Sequence, residues 1–416
     1  MTKMNRRKFL RLATSAGFAA SIRGYGKGAA STLEGWTPGT LDIHHLAYGR
    51  GNSTFILGPD GTTILIDAGT TEDSLAVSCA QKPDASLRPG EWIGSYILRQ
   101  MKPAGREELD YALITHIHPD HLGDLGPGNP VSQNGSYRLT GITDVDALAP
   151  ITTLIDRGFP DYTYPLPPQA PFALNYLDYV RSRERLGRST ERIKVGSASQ
   201  IRLVHQPSPN SSFTVRNLAA NGDIWTGDGE LTRRCFPNLK DLKEADYPTE
   251  NMCSIAIRLS YGKFDYFTGG DLTSDTEESG ESWRDVEAPV ARAAGPVEVA
   301  VADHHAYYDA VGPDFVRALR PEVFVIPSWY IAHPSVLPLR RMLSRQLYAG
   351  DRDIFATCVM EANRLVNNQF ISKLLSLDGN IIVRVAPGGD EFRIIVTENA
   401  DDSDRIKLVT GPYRCN

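Results

Sequence analysis

The segment LITHIHPDHLGD gathers three histidines and two aspartates behind an apolar run, in a chain that has only nine histidines. In an extended segment, side chains two residues apart point the same way, so His116 and His118 can bind one ion together. Pro119 disfavours a helix and turns the chain, which directs Asp120 and His121 toward a second ion. Imidazole and carboxylate ligands in this pattern indicate Zn²⁺ or a similar divalent metal. Chance would be the better explanation for a single surface histidine. It does not account for the H-x-H-x-D-H spacing directly after an apolar strand.

The sequence around this loop predicts alternating strands and helices. STFILG and TTILID predict a hairpin, EWIGSYILRQMK predicts an amphipathic helix, and YALIT predicts a buried strand that ends at the histidines. Later segments predict a second hairpin (CSIAIRLSYGKFDYFTGGDL), two more strands (VEVAVADHH and EVFVIPSW) and a closing hairpin (NIIVRVAP and EFRIIVTE). This order indicates an α/β architecture in which a strand gives the loop a rigid base.

Four motifs together resemble the metallo-β-lactamase superfamily. THIHPDH is similar to its signature, ILIDAG to its first motif with Asp67, FTGGDL to its T-G-D motif with Asp271, and ADHHAY to its final histidine motif. Most members lack the second glycine of FTGGDL. The nearest branch contains the hydrolase-like domain of bacterial DNA-uptake proteins, whose motifs GQGD, LHP, N-x-S, HHGS and GHP read here GRGN, VHQP, NMCS, HHAY and AHPS.

The resemblance implies an α/β (α+β) fold, the αββα sandwich, in which two mixed β-sheets pack face to face with helices outside. Residues 31–416 then form a single domain, with insertions predicted at about 125–195 and 206–250. The resemblance also implies two divalent ions, with Zn²⁺ favoured and Mn²⁺ or Fe²⁺ as alternatives. The implied ligands are His116, His118 and His205 for the first ion; Asp120, His121 and one of His304 and His305 for the second; and Asp271 as the bridging carboxylate.

Further roles are predicted around these ligands. Asp120 would orient the attacking water besides ligating, His304 would bind the second ion, and His305 would act on the substrate oxygen or leaving group as a general acid. Asp67 would orient a ligating histidine. Three residues are expected near the substrate: His333, Asn251 and Trp225. Residues 206–250 are predicted to form a lid or pocket wall that includes Trp225, the alternative being a solvent-exposed insertion.

The predicted function is hydrolysis of a phosphodiester or another phosphoryl ester by a metal-bound hydroxide. The alternatives are a carboxylic ester, a lactone or a β-lactam as substrate, an iron-dependent redox enzyme, and a binding protein without activity. Filled ligand motifs disfavour the binding protein. His118, at a position where di-iron flavoproteins of this fold usually carry glutamate, disfavours the redox enzyme.

Composition and the N-terminus restrict the partners and the location. The 416 residues carry 44 basic and 50 acidic side chains, a net charge of −6, and no basic cluster in the body of the chain, which disfavours long nucleic acid. A small-molecule or cell-envelope substrate is expected, and no segment reads as a membrane span. Residues 1–30 resemble a twin-arginine signal, with Arg6 and Arg7 ahead of an apolar stretch, so a periplasmic or secreted protein is expected. None of the five cysteines forms a C-x-x-C pair, and Cys235 with Cys253 is one conceivable disulfide.

Overall fold

The structure, a computed structural model, describes residues 31–72, 76–205, 212–274 and 280–416. The predicted signal segment 1–30 lies outside the described residues.

Strands are the main elements of the described chain. In order they are β1 (Leu41–His45), β2 (Thr54–Leu57), β3 (Thr63–Ile66), β4 (Leu109–Leu113), β5 (Ile151–Asp156), β6 (Ser189–Arg192), β7 (Phe213–Ala220), β8 (Asp223–Trp225), β9 (Thr232–Arg234), β10 (Ala256–Tyr261), β11 (Phe264–Thr268), β12 (Val299–Val301), β13 (Val323–Ile326), β14 (Asp353–Ala356), β15 (Asn380–Val385), β16 (Glu391–Thr397) and β17 (Ile406–Arg414).

The helices connect these strands. In order they are α1 (Pro89–Met101), α2 (Pro119–Leu122), α3 (Ile142–Leu148), α4 (Pro171–Arg185), α5 (Glu287–Ala294), α6 (Pro313–Leu319), α7 (Val336–Met342), α8 (Glu361–Val366) and α9 (Asn368–Ile371). Proline opens α1, α2, α4 and α6 at the first helical turn, where its missing N–H costs nothing.

The strands form two mixed sheets. The first has the order β17-β16-β15-β1-β2-β3-β4-β5-β6, and the second has the order β14-β13-β12-β11-β10-β7-β8-β9. In the first sheet, β3 to β6 run parallel and the remaining neighbours are antiparallel. In the second sheet, β11 to β14 run parallel. The carboxyl ends of both parallel groups therefore supply loops in which side chains can converge.

Alternation along the strands produces four layers. Ile64 and Ile66 of β3 pack in a core with residues of the second sheet, such as Leu259 and Val325. Leu65, which lies between them, packs instead in a separate cluster with α1, α3 and α4. The outer face of the second sheet packs on α5, α6 and α7 in a third cluster. The predicted αββα sandwich is confirmed.

The two stretches predicted as insertions contribute strands to the sandwich. β5 and β6 lie within 125–195 and extend the first sheet next to β4. β7 to β9 lie within 206–250 and extend the second sheet next to β10. β6 (STER) and β9 (TRR) are short, polar strands at the sheet edges and carry little of the alternating apolar pattern that marks a strand. β5 and β7 are longer, inner strands that were not predicted from the sequence.

A disulfide joins Cys79 to Cys358 across 279 positions of sequence. Cys235, Cys253 and Cys415 are free, so the conceivable pairing of Cys235 with Cys253 is wrong. Spacing in a sequence does not give the Cα separation that decides which cysteines can bond. Among the described residues, no helix combines the length and the apolar character needed to cross a membrane.

Candidate metal centre

Loops from the carboxyl ends of both parallel groups meet at one edge of the sandwich. Asp67 follows β3, and residues 114–121, here called the histidine loop, follow β4. From the second sheet, Asp271 follows β11, and His304 and His305 follow β12. The backbone N–H of Ile255, just ahead of β10, donates to the Thr115 carbonyl at 2.9 Å and ties the two sheets together at this edge.

Glycines permit a close approach of backbone around Asp120. The N–H of Asn52 donates to the Asp120 carbonyl at 2.7 Å. A Cβ on Gly69 would lie 1.7 Å from the Asp120 carbonyl oxygen, and one on Gly51 would lie 2.3 Å from it. Larger residues at either position would displace the segment that carries Asp120.

The two glycines of FTGGDL, Gly269 and Gly270, also lie where a side chain would meet neighbouring atoms. A Cβ on Gly269 would lie 2.7 Å from the Asp303 carboxylate. Gly270 has a φ of +58° and lies against Thr115, where a Cβ would come within 2.9 Å. The second glycine, unusual for this motif, therefore allows Asp271 to approach the histidine loop of the other sheet.

Four side chains form a compact ligand cluster. Asp120, His121, Asp271 and His305 each offer one ligand atom, and these atoms lie within 4.8 Å of one another. His121 Nε2 is 3.1 Å from Asp271 Oδ1 and 3.7 Å from Asp120 Oδ2. His305 Nε2 is 3.0 Å from Asp120 Oδ2 and 3.6 Å from Asp271 Oδ1. A tetrahedral ion with bonds of about 2.0–2.2 Å separates its ligands by about 3.4 Å, so these distances fit one ion.

The hydrogen bonds of His121 and His305 also fit one ion in this cluster. His121 Nδ1 donates to Asp67 Oδ2 at 2.8 Å, and His305 Nδ1 donates to the Pro327 carbonyl at 2.8 Å. A neutral imidazole with its proton on Nδ1 has its lone pair on Nε2. That lone pair faces carboxylate oxygens in both residues, and His121 Nε2 is buried without a hydrogen-bond partner. A cation between nitrogen and carboxylate satisfies this arrangement.

Without a cation, protons take its place. Burial lowers the pKa of His305, but the charge of Asp271 and the hydrogen bond to Asp120 outweigh burial and raise it to about 9. Burial likewise opposes, and the charges of Asp271, Asp120 and Asp67 raise, the pKa of His121 well above its usual value. Burial raises the pKa of Asp271, yet the charges of the surrounding histidines hold it well below its usual range. The cluster therefore binds positive charge, either as protons on its histidines or as a cation.

The other oxygen of Asp271 faces a second group of donors. His116 Nε2 lies 3.8 Å from Asp271 Oδ2, and His116 Nε2 and His118 Nδ1 are 3.1 Å apart. His116 is fully buried, whereas His118 is partly exposed. Asp271 thus presents Oδ1 to the ligand cluster and Oδ2 to His116.

His205 lies away from this centre, which corrects its prediction as a ligand. Its Nε2 pairs with Asp110 at 2.9 Å, and its backbone N–H donates to Asp60 at 2.8 Å. Asp110 is the second residue of β4, whereas the histidine loop leaves the opposite end of that strand. A lone histidine at a predicted strand end often satisfies only local hydrogen bonds, and His205 does so.

The positions of the two adjacent histidines differ from the predicted assignment. His305, predicted as the general acid, belongs to the ligand cluster. His304, predicted as a ligand of the second ion, lies at the other oxygen of Asp271, 3.7 Å from Oδ2. The sequence places the pair at the site but does not specify the backbone turn that aims each ring.

Asp67 and His333 both lie beside the ligand cluster. Asp67 orients His121 and also accepts from the Thr115 backbone N–H and hydroxyl, both at 2.8 Å. His333 stacks on the ring of His305 with centroids 4.9 Å apart. Trp329 and Tyr330 each have a ring centroid 5.5 Å from that of His333. These rings form an aromatic wall on one side of the centre.

Trp225 lies outside this wall, which corrects its predicted role. It is in β8, where the Arg216 guanidinium lies 4.5 Å above its ring and its Nε1 donates to the Gly229 carbonyl at 3.0 Å. Strands β7, β8 and β9 lie within the predicted lid, and residues 206–211 lie outside the described residues. Trp329, which follows β13, lies beside the centre instead, with its ring centroid 6.0 Å from that of His305.

Three polar residues at the centre gave no recognisable signal in the sequence. Glu250 Oε1 accepts from the Ile117 backbone N–H at 2.7 Å, and its carboxylate pairs with the buried Arg157. Asp309 Oδ1 accepts from His304 Nδ1 at 2.7 Å. Asn251, predicted near the substrate, places its Nδ2 3.2 Å from His304 Nε2. Glu250, Arg157 and Asp309 come to the site only through the fold, and no sequence pattern around them indicates it.

Comparison with known families agrees with the geometry. Residues 47–128 match the family model described as "Metallo-beta-lactamase superfamily", a range that contains Asp67 and the whole histidine loop. Residues 47–128 are therefore similar to this superfamily, and this similarity supports a metal-dependent hydrolase. The likeness to the DNA-uptake branch stays a prediction. No curated protein matches the chain.

Solved structures show distant likenesses. A protein from Parabacteroides distasonis ATCC 8503, named a metal-dependent hydrolase, is 11% identical, with 78% of this chain and 97% of that chain covered and a TM-score of 0.33. A mutant of the CmlA β-hydroxylase is 12% identical, with 84% of this chain and 54% of that chain covered and a TM-score of 0.37. At these scores, nothing about activity follows from either protein.

Proposed function

We propose that this protein is an exported, metal-dependent hydrolase that cleaves a phosphodiester or another phosphoryl ester at two divalent ions, with Zn²⁺ favoured. The observation that carries this proposal is the carboxylate of Asp271. Its Oδ1 lies in the cluster of Asp120, His121 and His305, while its Oδ2 faces His116. One carboxylate between two groups of nitrogen donors is the arrangement that a dinuclear site requires.

Divalent ions at such a site polarise a substrate oxygen and lower the pKa of water toward neutrality. The protein's part is to hold the ligands in fixed orientations. Asp67 and the Pro327 carbonyl hold the Nδ1 protons of His121 and His305, which leaves each Nε2 for a ligand role. Asp120 is partly exposed, so its carboxylate can also orient a water molecule.

Charge supports a phosphoryl ester over a neutral substrate. Two divalent ions bring four positive charges, against which Asp120 and Asp271 set only two negative ones, because the other ligands are histidines. The two ions and their direct ligands would keep a net positive charge next to the substrate, with the carboxylates of Asp67 and Asp309 further away behind the histidines, and this favours an anionic substrate and its transition state. A carboxylic ester, lactone or β-lactam would use the same residues and gain less from this charge.

The disulfide supports the proposed export. Bonds such as Cys79–Cys358 persist in oxidising compartments and are rare in the cytosol. Replacement of both Arg6 and Arg7 by lysine should retain a fused reporter in the cytoplasm, measured by cell fractionation. Unchanged export of that variant would exclude a twin-arginine signal.

The decisive experiment combines metal analysis with a substrate panel. The chain loaded with Zn²⁺ or Mn²⁺ is assayed on chromogenic phosphodiester, phosphomonoester, lactone and cephalosporin substrates, with Asp271→Ala as the metal-site variant. We expect about two ions per chain, phosphoester hydrolysis above background, and loss of both in Asp271→Ala. Turnover of only the lactone or cephalosporin would replace the substrate class, and bound iron with a visible spectrum would favour the redox alternative.

A further inference from the structure

Two adjacent histidines bracket the two oxygens of one carboxylate. His304 Nε2 lies 3.7 Å from Asp271 Oδ2, and His305 Nε2 lies 3.6 Å from Asp271 Oδ1. The two distances are nearly equal although the nitrogens approach different oxygens. His304 therefore faces the side of Asp271 that His116 also faces, at 3.8 Å from the same Oδ2.

An unusual backbone turn produces this arrangement. His304, His305 and Ala306 have φ values of 45°, 54° and 59°, in a region that residues with a side chain seldom adopt. Neighbours on an extended strand point to opposite faces, so continued extension would send one ring away from Asp271. Three consecutive left-handed residues cost conformational free energy, and such strain persists where a site makes use of it.

The surroundings of His304 orient its ring as they orient a metal ligand. Asp309 Oδ1 accepts from His304 Nδ1 at 2.7 Å, which leaves the lone pair on Nε2, the nitrogen that lies 3.7 Å from Asp271 Oδ2 and can accept from Asn251 Nδ2. A carboxylate behind the imidazole is the usual support of a ligating histidine. Asn251 Nδ2 lies 3.2 Å from the same Nε2, and Asn251 Oδ1 is buried without a hydrogen-bond partner.

We propose that His304 is the third histidine of the first ion, together with His116 and His118, and that Asp309 orients it. His304 thereby takes the place for which His205 was expected. The inference rests on the dinuclear site of the proposed function but does not depend on the substrate. Its rival is a role for His304 as a proton donor to the leaving group, which requires no contact with the ion.

Metal binding separates these roles without any activity assay. The purified full chain is dialysed against Zn²⁺, bound metal is measured by elemental analysis, and the affinity of each ion is measured by chelator competition. His304→Ala should bind about one ion instead of two, and His205→Ala, the matched control, should bind two. Asp309→Asn should keep two ions but bind the weaker one about 10–100-fold less tightly.

A second variant and an absorption spectrum distinguish the loss of a metal ligand from misfolding. His304→Gln fills much of the same volume and should also bind about one ion. In the Co²⁺-loaded chain, the visible absorption of one site should be lost in either variant while the other site keeps its spectrum. Two ions bound at unchanged affinity in His304→Ala, or the loss of an ion in His205→Ala, would overturn the inference. A wild-type chain that binds two ions but hydrolyses no ester would count against the proposed function alone.

Discussion

Asp67 accepts a hydrogen bond from His121 Nδ1 at 2.8 Å and thereby fixes which nitrogen of that ring is left to bind an ion. Asp67 has a φ of 60°, which asparagine also tolerates. Asp67→Asn should therefore fold but weaken binding of one ion by about 10–100-fold, because the negative charge behind the imidazole is lost. Chelator competition measures this change. An unchanged affinity would mean that Asp67 only supports the loop through Thr115.

The metal-free protein should lose stability as pH rises. The pKa of His305 is about 9 in the folded chain, above the ordinary value of 6.5, so its contribution is complete below about pH 6.5 and lost as pH rises through 9. The loss is on the order of 3 kcal/mol. Denaturant titrations between pH 6 and 10, with chelator or with Zn²⁺, measure it.

The metal-loaded protein is the control for this pH dependence. Burial raises the pKa of Glu287 to about 8, which has the same sign of effect but acts with or without metal. Only the metal-free curve should contain the contribution of the ligand histidines. Parallel curves for the two forms would contradict the prediction.

Glu250 should support the histidine loop through a backbone contact. Glu250→Gln keeps an acceptor for the Ile117 N–H but removes the charge that pairs with the buried Arg157. We expect a loss of about 2 kcal/mol in the free energy of unfolding and weaker metal binding. Glu244→Gln, an exposed glutamate nearby, is the matched control and should change neither. Equal behaviour of the two variants would exclude a positioning role for Glu250.

The aromatic wall should influence substrate choice. Tyr330 is partly exposed, and its ring centroid lies 5.5 Å from that of His333. Tyr330→Ala should raise KM for a phosphoester with an aromatic leaving group by about threefold to tenfold, because an aromatic contact contributes about 0.5–1.5 kcal/mol. Trp225→Ala should leave KM unchanged. If Trp225→Ala raised KM and Tyr330→Ala did not, the wall beside the substrate would lie at the edge of the second sheet, near β8.

The local part of the site could be predicted from the sequence. His116, His118, Asp120 and His121 share one short loop, so their spacing alone indicated joint ligation. Asp271 could be predicted because a motif surrounds it. The fold could be predicted because buried strands have apolar sequences.

The rest depends on contacts between distant segments. Glu250 meets Arg157 across 93 positions, and no pattern in either segment indicates that pair. His205 was misassigned because a strand-end histidine looks the same whether it binds an ion or Asp110. His304 and His305 could not be distinguished because a left-handed turn, which the sequence does not mark with glycine, decides their directions.

The Cys79–Cys358 disulfide also has a consequence for the denatured chain. Because 279 positions separate the two cysteines, the unfolded, oxidised protein is a large ring with two tails instead of an open coil. Such a ring has far fewer conformations, and chain-entropy arguments assign about 6 kcal/mol to closing a loop of this size. Denaturation under oxidising conditions therefore exposes less surface than denaturation after reduction. The two unfolding curves should differ in slope as well as in midpoint.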